Sequence, residues 1–337
     1  MSHFIVNKHG HHVQHSQHIN VPHMKHESII IPSTSNPTWG GYFVIDFRER
    51  NCVLHDLTLQ FNVSALTGYT GSNATSPRYT PAFFWFSRIE FVQKNNVIDT
   101  VYANQQFISN QLFNYDEQRA ILNLGAGAYN NTTQRATLAA AASAYYVDLW
   151  NYFQQGNLPI LSQKDDLQIR VYMDTLANNA VTGTATLSTG PTSTINSCNL
   201  IARVRRLLHS SDVSNRLRLH HSRPEHYKFN ELRFGTFAIA SGVSQTSIVL
   251  TPLTGHCNYL FFTVRPTASI SGEGYYNYTA ISNYAILDGT STNIVGGQSI
   301  PNAMALLLLG RNWTRSSYLS ETALGTTNNG ANVYVEF

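Results

Sequence analysis

The chain has 337 residues, with Lys+Arg 22 against Asp+Glu 19 and a formal charge of +3. Charged residues make up 12%, about half the roughly 25% of an average soluble domain, while hydrophobic residues reach 42% and aromatic residues 12%. This balance excludes an intrinsically disordered chain, which couples low hydrophobicity to high net charge, and a coiled coil, whose Ala/Glu/Lys/Leu/Arg bias is missing. The length allows two domains or one large β domain. No run approaches the 18 or so apolar residues of a membrane span; the stretches Ala303–Leu309 and Leu138–Ala142 are too short. Met1–Ile5 shows no secretory n-region or h-region. Cys52, Cys198 and Cys257 form no CxxC pair and no disulfide framework, and read as three buried thiols. The surface is left to Ser, Thr, Asn, Gln, Gly and Tyr, which tolerate contact with copies of the same chain because little charge must be desolvated.

Residues 1–27 form a His-rich N-terminal arm carrying eight of the 14 histidines, among them the closely spaced His9, His11, His12 and His15. A metal-binding tract, an affinity tag and a polar arm are the three readings. Irregular spacing argues against a tag, and the lack of acidic or Cys co-ligands favours the arm over a metal site. From Glu27 the text becomes β-like. Ile29–Ile31 stops at Pro32, and Tyr42–Phe47 follows Gly40-Gly41. In Val53–Val63 the residues Val53, His55, Leu57, Leu59, Phe61 and Val63 fall on one face, the period-2 mark of a half-buried strand. After a polar loop over Thr67–Pro81, Phe83–Gln93 is a strand, Asn95-Asn96 a turn, and Val97–Tyr102 the returning strand.

The period then changes. Phe107, Leu112, Phe113, Ala120, Ile121 and Leu124 recur at helical spacing, predicting a helix over Ala103–Leu124 stopped by Gly125. Residues 126–157 read as loop with a short helix near Leu138–Trp150. Leu158–Asp174 returns to the β pattern through Leu167, Ile169, Val171 and Met173, a loop covers Thr175–Ser197, and Cys198–Leu207 is the next strand. Residues 209–226 are a polar, Arg- and His-rich seam broken by Pro224, taken as an interdomain connector. The second half repeats the rhythm: strands at Tyr227–Ala240, Thr246–Leu253, Asn258–Arg265, Tyr284–Leu287 and Val333–Phe337, and a helix at Ser299–Leu309 bounded by Pro301 and Gly310. Short strands with turn signals and few helices read as β-sandwiches. The chain therefore divides into the arm, a first sandwich over 28–208, the connector, and a second sandwich over 227–337.

Catalytic motifs are missing: there is no GxSxG, HExxH, Walker loop or GxGxxG. Asp165 and Asp166 are adjacent, so in a strand they point to opposite faces; His55-Asp56 and Glu225-His226 lack a nucleophile. No catalytic, cofactor or metal residue is assigned, and no small-molecule substrate is expected. The strongest electrostatic feature is a basic run containing Arg203, Arg205, Arg206, Arg216, Arg218, Arg223, Lys228 and Arg233, opposed by Asp212, Glu225 and Glu231. It reads either as an interface, since Arg makes bidentate contacts there, or as a phosphate contact. The lack of interleaved aromatic residues favours the interface. In the alternating strand, Arg203 and Arg205 share a face opposite Ala202, Val204 and Arg206.

Two tandem sandwiches, each with a helix in a long connection, resemble the double jelly-roll major capsid proteins of the adenovirus and tailless lipid-containing phage lineage. Phe83–Asn114 (FFWFSRIEFVQKNNVIDTVYANQQFISNQLFN) is similar to the family's strand–turn–strand opening into a helix, and Leu158–Asp174 (LPILSQKDDLQIRVYMD) to the segment leading into a late strand of the first barrel. The resemblance implies an all-β fold of two tandem eight-stranded jelly rolls with short helices in the long connections. It further implies homotrimers of pseudo-hexagonal outline that tile an icosahedral virion shell with neighbouring capsomers and minor capsid proteins. An internal membrane would be reached through the arm, with synthesis in the host cytoplasm. A viral spike or other carbohydrate-binding sandwich, using Tyr-rich loops such as Gly274–Tyr278, is the alternative.

Overall fold

In the computed structural model the described residues are 24–49, 52–66, 81–114, 116–127, 132–151, 158–160, 165–176, 192–207 and 235–240, together with the strands of the second half and two dipeptides of the arm. Those dipeptides, β1 (Ile5–Val6) and β2 (His12–Val13), pair antiparallel. The first barrel is built from β3 (Met24–Pro32), β4 (Tyr42–Phe47), β5 (Cys52–Val63), β6 (Phe86–Gln93), β7 (Asn96–Tyr102), β8 (Ser143–Asp148), the short β9 (Leu158–Pro159), β10 (Leu167–Met173) and β11 (Ile195–Leu207). Its two sheets have the orders β4-β10-β6-β7 and β3-β11-β5-β8, with β9 attached to β5, and all pairings are antiparallel.

Alternation packs these sheets face to face. Phe43, Ile45 and Phe47 of β4, Leu167, Ile169 and Val171 of β10, Leu57, Leu59 and Phe61 of β5, and Cys198, Leu200, Ala202 and Val204 of β11 are all buried in one core. Trp85 joins this core from just ahead of β6, with edge-on ring contacts to Trp39, Phe61 and Tyr145 at centroid distances of 5.6, 5.7 and 4.6 Å.

The second barrel contains β12 (Thr236–Ile239), β13 (Ile248–Val249), β14 (Tyr259–Pro266), β15 (Ile281–Leu287), β16 (Asn293–Ile300), β17 (Met304–Leu308), β18 (Tyr318–Leu324) and β19 (Val333–Glu336). Its sheets have the orders β12-β19-β14-β17 and β13-β18-β15-β16. Setting β9 aside and numbering the eight strands of each barrel from one, both barrels give the same two sheets, 1-8-3-6 and 2-7-4-5. That is the jelly-roll order, written twice.

Several expectations are corrected. The helix predicted over Ser299–Leu309 is instead the end of β16 and the whole of β17, whose Leu308–Met304 run pairs with Tyr259–Thr263 of β14. Sheet pairing there overrides the helix propensity of Ala and Leu. The short helix expected near Leu138–Trp150 divides into the end of α3 (Thr132–Ala139) and the strand β8, because Tyr145, Val147 and Leu149 alternate into the core. The long helix over Ala103–Leu124 is two, α1 (Ala103–Phe113) and α2 (Asp116–Gly125), broken where Asn114 turns extended at ψ 146.

Phe83 and Phe84 belong to a 3-10 turn, Pro81–Phe84, and the strand starts at Phe86. The hairpin turn sits one residue earlier than expected, at Lys94-Asn95, both with positive φ. The apolar face assigned to Val53–Val63 is interrupted. A bulge where Arg203 faces Asp56 and Val204 faces Leu54 shifts the alternation, so Cys52 and Leu54 point inward while Val53 and His55 do not. The strand β18, absent from the sequence reading, supplies the seventh strand of the second barrel.

Candidate interaction surface

The arginines of β11 are placed by its alternation. β11 lies between β3 and β5, its Ala202 and Val204 fill the core, and Arg203 and Arg205 therefore project from the outer face of the sheet. Arg203 forms an ion pair with Asp56 at 2.6 Å. Arg205 donates through Nε to Nε2 of His55. Arg206, on the opposite side near the strand's end, joins two carboxylates at 3.1 Å each, Glu27 of β3 and Glu49 beyond β4. The three arginines thus tie β3, β5 and the β4–β5 connection together.

This placement bears on both sequence readings. Arg203 and Arg206 are committed to carboxylates of the same barrel, so their first role is to hold strands together. Sequence reasoning missed the partners Glu27, Glu49, Asp56, His26 and His55. The signal for two of them was present, since His55-Asp56 interrupts an otherwise apolar alternation where the bulge falls. Arg216, Arg218, Arg223, Lys228 and Arg233, the seam 209–226, and the arm residues His9, His11 and His15 lie outside the described residues; His12 is placed only as backbone of β2. Among the described residues no group of three or more His, Cys, Asp or Glu is placed to hold a metal, and no helix is long and apolar enough to cross a membrane.

The bulge also sets the chemistry of its neighbours. Burial, then the guanidinium of Arg205, holds His55 below the ordinary imidazole range. His26 of β3 stacks on it, with ring centroids 6.0 Å apart. Burial and the nearby Glu49 carboxylate push the Cys52 thiol up to about 11, and burial raises Cys198 as well. Both thiols are free, buried and protonated at neutral pH, the structural kind of cysteine. Cys257 lies outside the described residues.

A second feature lies on the outer face of the other sheet. Tyr42, Tyr172, Arg88 and Tyr102 stand directly opposite one another across β4, β10, β6 and β7. Tyr42 and Tyr172 stack at 5.7 Å, and the Arg88 guanidinium lies 4.0 Å from the centre of the Tyr172 ring. Glu90 fixes the row, accepting 2.9 Å hydrogen bonds from Arg88 Nε and from the Tyr172 hydroxyl. Tyr42 is 62% exposed. Rigid Tyr and Arg side chains are the residue types that dominate protein–protein contact energies.

No protein-family model matches the chain, and the search of curated proteins finds no match. Solved structures do match over nearly the whole length. The PBCV-1 virus capsid superposes with a TM-score of 0.69 at 14% identity, covering 94% of this chain and 93% of that one. The Faustovirus major capsid protein gives 0.65 at 9% identity, covering 93% and 89%. The mavirus major capsid protein gives 0.53 at 9% identity, covering 92% and 86%. This chain has the double jelly-roll fold. At such low identity the likeness lies in the path of the backbone, and it extends through both barrels.

Proposed function

We propose that this protein is the major building block of an icosahedral virion shell. One observation carries the reading: two barrels of identical strand order occur in one chain, and the same double arrangement is found in viral capsid proteins across nearly the full length. Three chains of two similar barrels give six similar units, so a homotrimer presents a pseudo-hexagonal outline that packs against neighbouring capsomers. The low charge of the chain and the Tyr42–Tyr172–Arg88–Tyr102 row suit repeated contacts of modest strength, which become strong through multivalency. The role is structural and sits in the virion. Contacts with minor capsid proteins, an internal membrane reached through the arm residues ahead of β3, a domain division at 209–226 and synthesis in the host cytoplasm belong to the same proposal.

The test is the mass and shape of the purified full-length chain. Light scattering after size-exclusion chromatography is expected to give three times 37.6 kDa, and negative-stain images six-lobed particles. A monomer at every salt concentration and pH overturns the reading, and glycan binding by that monomer points to an adhesive sandwich instead.

A further inference from the structure

The outer face of β3-β11-β5 carries a groove of about 350 Å³ lined by His26, Glu27, Ser28, His55, Asp56, Arg203 and Val204, with Arg205 bonded to His55 at its edge. Arg203 is neutralised by Asp56. Among the described residues Arg205 has no carboxylate partner; its Nε faces Nε2 of His55. A guanidinium has no acceptor, so the bond between them exists only while His55 Nε2 carries a lone pair.

The groups facing His55 are His26 from β3, Arg203 and Arg205 from β11, and Asp56 beside it on β5, with Asp148 of β8 further along the same face next to Asp56 and Arg203. Protonation of His55 turns the acceptor of Arg205 into a second cation in contact with it. Asp56 is already engaged by Arg203. The cluster then holds more positive charge than its carboxylates offset, on an open groove that also presents the Ser28 hydroxyl.

We propose that this groove is an oxyanion site that fills on acidification, taking a tetrahedral oxyanion of the sulfate or phosphate-monoester class between Arg205, His26 and His55. Near neutral pH the Arg205 Nε donor is taken by His55 and is not offered to an anion. Burial and the Arg205 guanidinium hold His55 below the ordinary imidazole range, so only acidification below that range protonates it; the bond is then lost and an anion takes its place between β11 and β5. This property belongs to the first barrel alone and stands whether or not the protein builds a shell.

Hydrogen exchange read by mass spectrometry on the intact chain tests it, with millimolar sodium sulfate compared with sodium chloride at equal ionic strength. At pH 5.5 sulfate is expected to slow exchange several-fold in peptides covering 24–32, 52–63 and 195–207, and to leave them unchanged at pH 7.5. Two variants, Arg205→Gln and the double change His26→Asn with His55→Asn, are each expected to lose the sulfate effect. Their exchange at pH 7.5 without sulfate verifies the fold, and either one that folds suffices. Equal protection at both pH values, or protection retained in a folded variant, overturns the proposal. Vesicles containing phosphatidic acid separate the sources of the anion. Sedimentation with them at pH 5.5 that is lost in Arg205→Gln assigns the site to a lipid headgroup; sulfate protection without sedimentation assigns it to a free anion.

Discussion

The two barrels share a strand order and differ most in one connection. Between their fifth and sixth strands the first barrel inserts residues 103–142, which hold α1, α2 and α3, whereas the second spends only residues 301–303. In the first barrel the insertion builds structure of its own. Phe107 of α1 packs against Phe83 and Phe84 of the 3-10 turn at 6.0 and 5.7 Å. Gln106 both accepts from the Trp150 amide and donates to the Trp150 carbonyl, each at 2.6 Å. Asn110 of α1 donates to Asn123 of α2 at 2.9 Å. A jelly roll is therefore specified by which strands pair, and a connection between them is free to grow into a separate packing layer without disturbing that order.

The sharpest way to break the comparison is to open a cavity in the core of the first barrel. Trp85→Ala removes a ring that is 94% buried, its exposure being 6%, and is expected to cost about 3–5 kcal/mol. Urea unfolding monitored by circular dichroism measures it, with exchange protection reporting which barrel opens first. Next comes the point where the helical layer meets the strands. Gly127 has φ +89, and a Cβ there would come within 2.9 Å of Pro81 Cδ and Tyr145 Cε1. Gly127→Ala is expected to lose about 1–3 kcal/mol, read as a lower melting temperature. No matching position exists in the direct connection 301–303.

Acid provides a third contrast. His55 is held below its ordinary range in the folded barrel, so the fold prefers the neutral form. Its stabilisation is complete above about pH 6.5 and is lost as pH falls from there through the lowered folded value. Melting temperature in chloride is expected to fall over that interval, and His55→Asn to flatten the slope. The smallest effect is a gain. Lys94 and Asn95 both have positive φ, at 47° and 64°, the pattern of a type I′ turn. Lys94→Asn with Asn95→Gly is expected to add about 0.4–1 kcal/mol, measured by the same melts.

Much of the fold was legible in the sequence because period-2 alternation is a local signal. Tyr42–Phe47, Leu167–Met173 and Cys198–Leu207 needed only their own residues to be recognised, and the outward placement of Arg203 and Arg205 followed from it. What escaped depends on partners far away in the chain. Met304–Leu308 reads as a helix until β14 pairs with it. The bulge at His55 exists because β11 fits β5 that way, and it moved His55 out of the core-facing set. The role of Arg206 was hidden because its carboxylates, Glu27 and Glu49, lie far from it in sequence. A basic run shows charge, but which of those charges are already answered is a property of the folded sheet.

The sealed thiols turn the first barrel into its own recorder. Cys52 and Cys198 sit on adjoining strands at the heart of the sheet that contains β3, so reagents such as Ellman's compound gain access only when those strands separate. The pace at which these two positions are labelled, read by peptide mass spectrometry, would therefore clock how often the strands of the first barrel part.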